Sequence, residues 1–413
     1  MIRARTIGVW LALPGLSSCN GLGRASCSGR PGDDRGNAPS SIGADPAAAD
    51  AAASAKASTT DVAVHEHVEP RVAAGGARTC VVASDASLHC FGARYRHEED
   101  GVLDAVTNVV QVAVAEDHAC ARRTKGDVTC WGAGEYGQLG DGSDVEYNWS
   151  GPTPMLDVRD AIEVTVAAGV TCVQGPVNAW RCWGRNDGGV VAVSGSWSKT
   201  AEPLRVSDVT QLAMSQRFFC ARLVEGTATC WGASSSGELG LGTTAGGRYP
   251  PGKVRGLVDL RRIATANGGA GRHVCAVDEA GGVWCWGNND DGQVGDGSTV
   301  TRSLPLKVRG LGRAADVAVG VAHTCARLVD GSVWCWGAGD RGQLGVLAPK
   351  GRTTPTKVTS LSGVLEIVAG DAHTCVRTET TISCFGANGE GQLGDGTTVD
   401  HFEPVRVVLT PSL

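Results

Sequence analysis

Ala322-His323-Thr324-Cys325-Ala326-Arg327-Leu328-Val329-Asp330-Gly331-Ser332-Val333-Trp334-Cys335-Trp336-Gly337 reads as two short β-prone runs around the triplet Val329-Asp330-Gly331. A three-residue hairpin loop takes a type I turn whose last residue has positive φ, and glycine meets that demand best. With this loop Leu328 pairs with Ser332, and counting outward sets Cys325 directly opposite Cys335. Facing residues have Cβ atoms about 4.5–5.5 Å apart, close to what a disulfide spans. The stretch therefore predicts a β-hairpin with its own cross-strand bridge.

Working outward, the same pattern recurs six more times. It pairs Cys80 with Cys90, Cys120 with Cys130, Cys172 with Cys182, Cys220 with Cys230, Cys275 with Cys285, and Cys375 with Cys384. The first cysteines recur every 40 to 55 residues. A self-similar period of that length marks a repeat array. The third loop position is Gly126, Asn178, Gly226 and Gly281 in copies two to five, and Asn is the best alternative to glycine there. Ala86 in copy one fits this scheme badly. Copy seven is one residue shorter, and a two-residue Glu379-Thr380 loop would restore facing cysteines.

A metal reading competes. His118, His273, His323 and His373 each stand two residues before a first cysteine, so a His-Cys-Cys zinc set is conceivable. A tetrahedral site needs four ligands, and Arg78, Val170 and Phe218 replace the histidine in three copies. Disulfides are expected in an exported chain, with the histidines as structural hydrogen-bonders and no metal or cofactor.

A strand candidate precedes each hairpin, as in Val109–Val114 and Ala315–Val319. A Gly-rich turn such as Gly137-Gln138-Leu139-Gly140 follows it, then a Pro-led strand at Pro203, Pro305, Pro355 or Pro404. Proline belongs at a strand's start or on a sheet edge, so this strand is outermost. The fold class follows: all-β, a seven-bladed β-propeller of four-stranded blades with one hairpin disulfide per blade. Trp131, Trp183, Trp231, Trp286 and Trp336 are expected to fill the layers between blades. The C-terminal strand is expected either to complete blade seven or to clasp blade one.

The organisation expected is a lipoprotein-type signal peptide over 1–18, a flexible Gly/Ala/Ser-rich tether over 19–61 and the propeller over 62–413. Arg3 and Arg5 precede a short apolar run ending at Leu16-Ser17-Ser18-Cys19, which resembles a bacterial lipobox and makes Cys19 the lipidation candidate. An ordinary signal peptide, with a Cys19–Cys27 bridge, is the alternative. Net charge is −6, which leaves nucleic-acid binding without electrostatic support. The chain is expected to be a monomer that meets the membrane only through that lipid.

His-Thr-Cys-Ala-Arg, Asp-Gly-Ser-Val-Trp-Cys-Trp-Gly and Gly-Gln-Leu-Gly-Asp-Gly, recurring in register over about residues 70–408, resemble repeats of the regulator of chromosome condensation superfamily. The resemblance implies a seven-bladed propeller. Copies one and three depart from it, since neither Phe91-Gly92-Ala93-Arg94 nor Gly188-Gly189-Val190-Val191 carries the Gly-Gln-Leu-Gly turn. The family's eukaryotic founder is a chromatin-bound nucleotide-exchange factor, from which this chain departs in its export signal, acidity and paired cysteines. The cysteine-paired version looks like exported bacterial propellers.

No P-loop, Gly-x-Ser-x-Gly elbow or His-Glu-x-x-His motif is present. Tyr147, Trp149, Trp197 and Tyr249 lie between a post-cysteine glycine and the next outer strand, on three consecutive crossovers. They form either a recognition patch for protein or glycan, or caps that pack the loops. The chain thus reads as a non-catalytic binding or scaffold propeller on a bacterial cell envelope or in the periplasm. A hydrolase or lyase with a central-channel site and a nucleotide-exchange factor are the alternatives.

Overall fold

The computed structural model describes residues 72–93, 101–103, 106–142, 149–191, 195–268, 271–347 and 350–409. Cys19, Cys27, Tyr95, Tyr147, the signal peptide and the tether lie outside the described residues, as do 62–71 of the expected propeller range. The described chain forms seven four-stranded antiparallel sheets, each ordered inner, second, third and outer strand along the sequence. Blade one spans Val72 to Val102, blade two Val109 to Pro154, blade three Glu163 to Pro203 and blade four Val209 to Lys253. Blade five spans Leu260 to Lys307, blade six Ala314 to Lys357 and blade seven Glu366 to Arg406.

Every blade carries the bridge expected of it, between its second and third strands. Cys80 is bonded to Cys90, Cys120 to Cys130, Cys172 to Cys182 and Cys220 to Cys230. Cys275 is likewise bonded to Cys285, Cys325 to Cys335 and Cys375 to Cys384. The partners face one another in register with Cα atoms 4.1–4.2 Å apart. All fourteen are engaged in this way and buried, so they serve the blades and not a binding surface.

The loop reading holds in detail. Leu328 N–H donates to Ser332 O at 2.8 Å, and Gly331 has φ 77°. Blade seven's shortened loop is closed by Thr378 N–H donating to Thr381 O at 2.8 Å. Ala86 keeps the left-handed conformation at φ 64° despite its Cβ, so the turn geometry outweighs the residue's preference.

In blades two, four, five and six, the hairpin glycine carbonyl accepts from the chain entering the next blade: Ala161 N–H to Gly126 O, Leu260 to Gly226, Ala314 to Gly281, Val364 to Gly331. Blade seven's hairpin carries neither the glycine nor the extra residue.

One expectation needs correction, and one open alternative resolves. The prolines do not lead the outer strands: Pro305, Pro355 and Pro404 sit in the middle of Arg302–Lys307, Arg352–Lys357 and His401–Arg406, and Pro203 ends Trp197–Pro203. An edge strand tolerates proline wherever its nitrogen faces away from the neighbour, so proline marks the edge and not the start. Of the two places expected for the C-terminal strand, it takes the first. His401–Arg406 pairs with Ile382–Gly386 and completes blade seven, while blade one takes all four strands from its own stretch.

The blades are joined by seven apolar clusters, one per seam. Trp131, Trp183, Trp231, Trp286 and Trp336 are at most 2% exposed and fill five of them. Each of the last four donates its indole N–H to a turn carbonyl of the preceding blade: Gln138, Val190, Glu238 and Gln293, at 2.7–3.2 Å. Blade three therefore keeps the turn although its letters differ. Asn186 Oδ1 accepts Val191 N–H at 2.9 Å, as Asn289 does for Val294 and Asn388 for Leu393.

The histidines are seam bonds. His118, His273, His323 and His373 place Nε2 2.7–2.9 Å from the hydroxyls of Thr171, Thr324, Thr374 and Thr79 in the following blade. The last of these closes the ring. Three of those threonines donate onward to the carbonyls of Gln138, Gln293 and Gln343, so histidine is the donor in those links. Where histidine is missing, the next blade's threonine is missing too: Val170 precedes Phe219, Phe218 precedes Val274, and Arg78 precedes Ala119.

The glycine after each of these aromatics is a conformational requirement. Gly337 has φ 101°, and a Cβ there would lie 2.4 Å from Ala322 O and 2.7 Å from His323 Cα. Both atoms belong to backbone, so neither can swing aside. Gly337→Ala is expected to cost about 2–4 kcal/mol in denaturant unfolding, combining an unfavourable φ with overpacking. A change below about 0.5 kcal/mol would show that the neighbouring strand shifts freely.

Candidate functional site

Strand direction defines two faces. The hairpins and inter-blade connections share one; the inner-to-second loops and third-to-outer crossovers share the other, here called the crossover face. Blade five carries the longest inner-to-second loop among the described residues, between Thr265 and His273. Asn267 reaches across the ring, donating from Nδ2 to Ala74 O at 3.2 Å and Val114 O at 2.7 Å, while its carbonyl accepts Ala168 N–H at 3.2 Å. One side chain and its carbonyl thus tie blade five to blades one, two and three across the channel mouth.

Beneath this crossing, Gly268 packs against Asp371 of blade seven. Burial first, and then the Glu116 carboxylate, push Asp371 up to about 6. At the other end of the inner strands, Gln111, Glu163, Gln211, Arg262, Asp316 and Glu366 occupy one register position in six blades. Gln111 Oε1 accepts Val164 N–H at 3.1 Å, Gln211 Oε1 accepts Ile263 N–H at 3.0 Å, and Arg262 pairs with Asp316 at 3.4 Å. Burial pushes Glu163 up to about 7 against the opposing pull of Arg262, Arg122 and Arg222. It keeps some solvent contact, which tempers that shift. This girdle joins blade to blade.

The open feature of the crossover face is a cleft of about 500 Å³ between blades three and four. Arg185 and Asp187 form one wall, Gly246, Gly247 and Arg248 the other, and Arg217 and Ser235 also line it. A smaller 150 Å³ recess shares Arg217 and Ser235 and adds Glu238 and Arg272 of blade five. The acids here are already engaged. Asp187 pairs with Arg185, while Glu238 Oε2 accepts Ser234 Oγ and the N–H groups of Ser235 and Ser236 at 2.7–2.9 Å.

The aromatic residues singled out from sequence are spread around this region. Trp197 opens blade three's outer strand, pairs with Arg185 and is 41% exposed, with Lys199 Nζ 4.9 Å from its ring centre. Tyr249 lies within Gly247–Lys253, half-buried, its hydroxyl donating to Ala245 O at 2.7 Å. These two flank the cleft. Trp149 opens the outer strand of blade two, opposite Ala133. They stand on edge strands and not on loops, because those strands start earlier than their prolines suggest.

Sequence reading missed the arginines. Arg217 and Arg272 both stand just before the histidine slot, at Phe218 and His273, where Asp117, Ala322 and Ala372 stand in other copies. Aligning the copies on their cysteines would have exposed that column.

The family model described as RCC1-like domain matches residues 96–412. The E3 ubiquitin-protein ligase HERC2 of Homo sapiens is 31% identical over 278 residues, covering 61% of this chain and 6% of HERC2. The ultraviolet-B receptor UVR8 of Arabidopsis thaliana is 31% identical over 241 residues, covering 54% of this chain and 53% of UVR8. The chain thus spans about half of UVR8 and a small fraction of HERC2. Among solved structures, yeast RCC1 (Prp20) bound to Kap60 superposes with a TM-score of 0.65 at 18% identity, covering 77% of this chain and 80% of that one. Human WBSCR16 gives 0.63 at 23%, covering 76% and 83%.

Proposed function

Because the chain belongs to the RCC1-like domain family, we propose that it is a non-catalytic binding propeller that recognises a macromolecular partner through its crossover face. The observation that carries this is the form of that face: Asn267 and Gly268 cross the channel mouth, and an open polar cleft lies beside it. A covered channel favours surface recognition over a reaction inside the ring. The outer edges are poor alternatives, since proline interrupts them in blades two to seven and blunts strand addition. Protein binding is known for a similar propeller, yeast Prp20p, which binds Gsp1p and histones.

We place the protein outside the cytosol, on the cell envelope, held by lipid on Cys19. Seven intrablade disulfides support an oxidising compartment. They also count against a cytosolic exchange-factor role. The test has two arms. Intact mass of the protein from its native cells should show two hydrogens lost per bridge and an acyl mass on Cys19; free thiols would refute the location. A photo-crosslinking residue at Ser235, in the cleft, should give a discrete adduct that unlabelled protein competes away. The same residue at Asp330, on the hairpin face, should not. Equal labelling from both positions would sink the reading.

A further inference from the structure

Arg217, Arg248 and Arg272 are exposed, come from three different segments of two adjacent blades, and line the joined cleft and recess. Their guanidinium groups have no ion-pair or hydrogen-bond partner among the described residues. Exposed arginines without a partner among the described residues also occur elsewhere, at Arg159, Arg205, Arg255, Arg309 and Arg313, but these do not line this cleft, and several other arginines are paired. Arg302 pairs with Asp296, Arg341 with Asp400, Arg377 with Glu366, and Arg185 with Asp187. Three unengaged guanidinium groups around one concavity, in a chain of net charge −6, make a local positive field against the molecule's overall sign.

We propose that this cleft binds an acidic peptide segment of the partner, its Asp or Glu carboxylates taken in fork geometry by Arg217, Arg248 and Arg272. The proposal rests on the binding-propeller reading and adds the chemistry of what is bound. A guanidinium presents paired N–H donors that match a carboxylate, which lysine does not. The nearby acids cannot serve as internal substitutes, because Glu238 is held by three serine donors and Asp187 by Arg185. Backbone approach is open on one wall, where Gly246 and Gly247 carry no side chain. A glycan fits less well. Sugar rings seek a bare aromatic face, yet Trp197 has Lys199 over its ring and Tyr249 is folded back onto Ala245.

The experiment is fluorescence anisotropy with a labelled hexaglutamate peptide on the intact propeller, at low and at physiological ionic strength. Binding should weaken with salt and fall about 10–100-fold in R217Q/R248Q/R272Q. The single exposed change R248E should weaken it about tenfold, a second route that leaves the other two arginines in place. R255Q/R309Q/R313Q, exposed arginines of the hairpin-face connections, should leave it unchanged. Equal binding by the cleft triple, or equal loss in the control triple, overturns the proposal. So does tighter binding of a heparin-derived hexasaccharide of matched charge, which would move the site to sulfated glycans. If the peptide fails while Ser235 still crosslinks a competed partner, the carboxylate chemistry falls and the binding-propeller reading stands.

Discussion

Refolding in the presence of dithiothreitol is expected to fail, whereas the oxidised protein should refold and resist denaturant. Each bridge closes a loop of ten residues or nine, worth about 2–3 kcal/mol in the chain-entropy model. Seven such terms need not add, since neighbouring contributions couple. Even half of their sum is comparable with the whole net stability of an ordinary domain, about 5–15 kcal/mol. The bridged cysteines are at most 4% exposed, so reductant reaches them mainly from opened states. Native protein should therefore lose its bridges slowly in reductant, and quickly once guanidinium is added. Paired melts with and without reductant check this. Midpoints within about 0.5 M of one another would mean that the apolar seams alone carry the ring.

The second large effect is expected in acid. His273 and His323 are held near 3 and His373 near 4, chiefly by burial, and His323 also feels the charges of His273 and His373. Unfolded, each would take a proton near pH 6.5. Below that value the unfolded chain binds more protons than the native ring. Their contribution is complete above about pH 6.5 and is lost as pH falls toward 3–4. Two carboxyl groups oppose this in the upper part of the range. Asp371, raised to about 6, and Glu163, raised to about 7, hold protons in the native state that the unfolded chain has released. Stability should thus decline gently between pH 6 and about 4.5. Toward pH 4 the unfolded carboxyls also take up their protons, so this opposition fades and the decline should steepen. The three histidines supply at most about 4 kcal/mol per pH unit of it. Asp117, Asp296, Asp395 and Asp400, held below the usual carboxylate value, act in the same direction.

The molecule supplies its own control for that slope. At the seam between blades three and four, Val170 and Phe219 replace the His–Thr pair, and Phe219 packs edge-on to Trp231 at 5.7 Å. Grafting this arrangement as His323→Val with Thr374→Phe should remove about one of the three protons from the acid slope. An unchanged slope in denaturant melts across pH would show that the histidines do not govern acid unfolding.

What could be read from sequence followed the range of the interactions involved. Cysteine pairing was legible because ten residues and one turn fix who faces whom. The histidines were legible as architecture, but their partners were not, since each threonine lies about fifty residues on and only the ring brings it near. The starts of the outer strands were hidden because proline reports an exposed edge without saying where pairing begins. Ring closure was open because the C-terminal strand suits either sheet edge, and only the pairing of Cys384 with Val405 decides it. The cleft was least visible of all. Arg217 and Arg272 share a column of the repeat but Arg248 lies outside it, and the three meet only when two blades stand side by side.

The independence of the terminal blades has one more consequence. Each blade takes its four strands and its bridge from one uninterrupted stretch, and among the described residues no connection crosses the seam between blades seven and one. Among the described residues that seam holds six buried apolar residues against eleven or more at the others, and a groove of about 510 Å³ lies along it. The boundary of a physical unit and the boundary of a sequence repeat therefore coincide. A duplicated or deleted stretch of gene would add or remove a finished, self-bridged blade. The ring can be inherited piecewise, with each copy free to trade His–Thr for Val–Phe provided its neighbour changes with it.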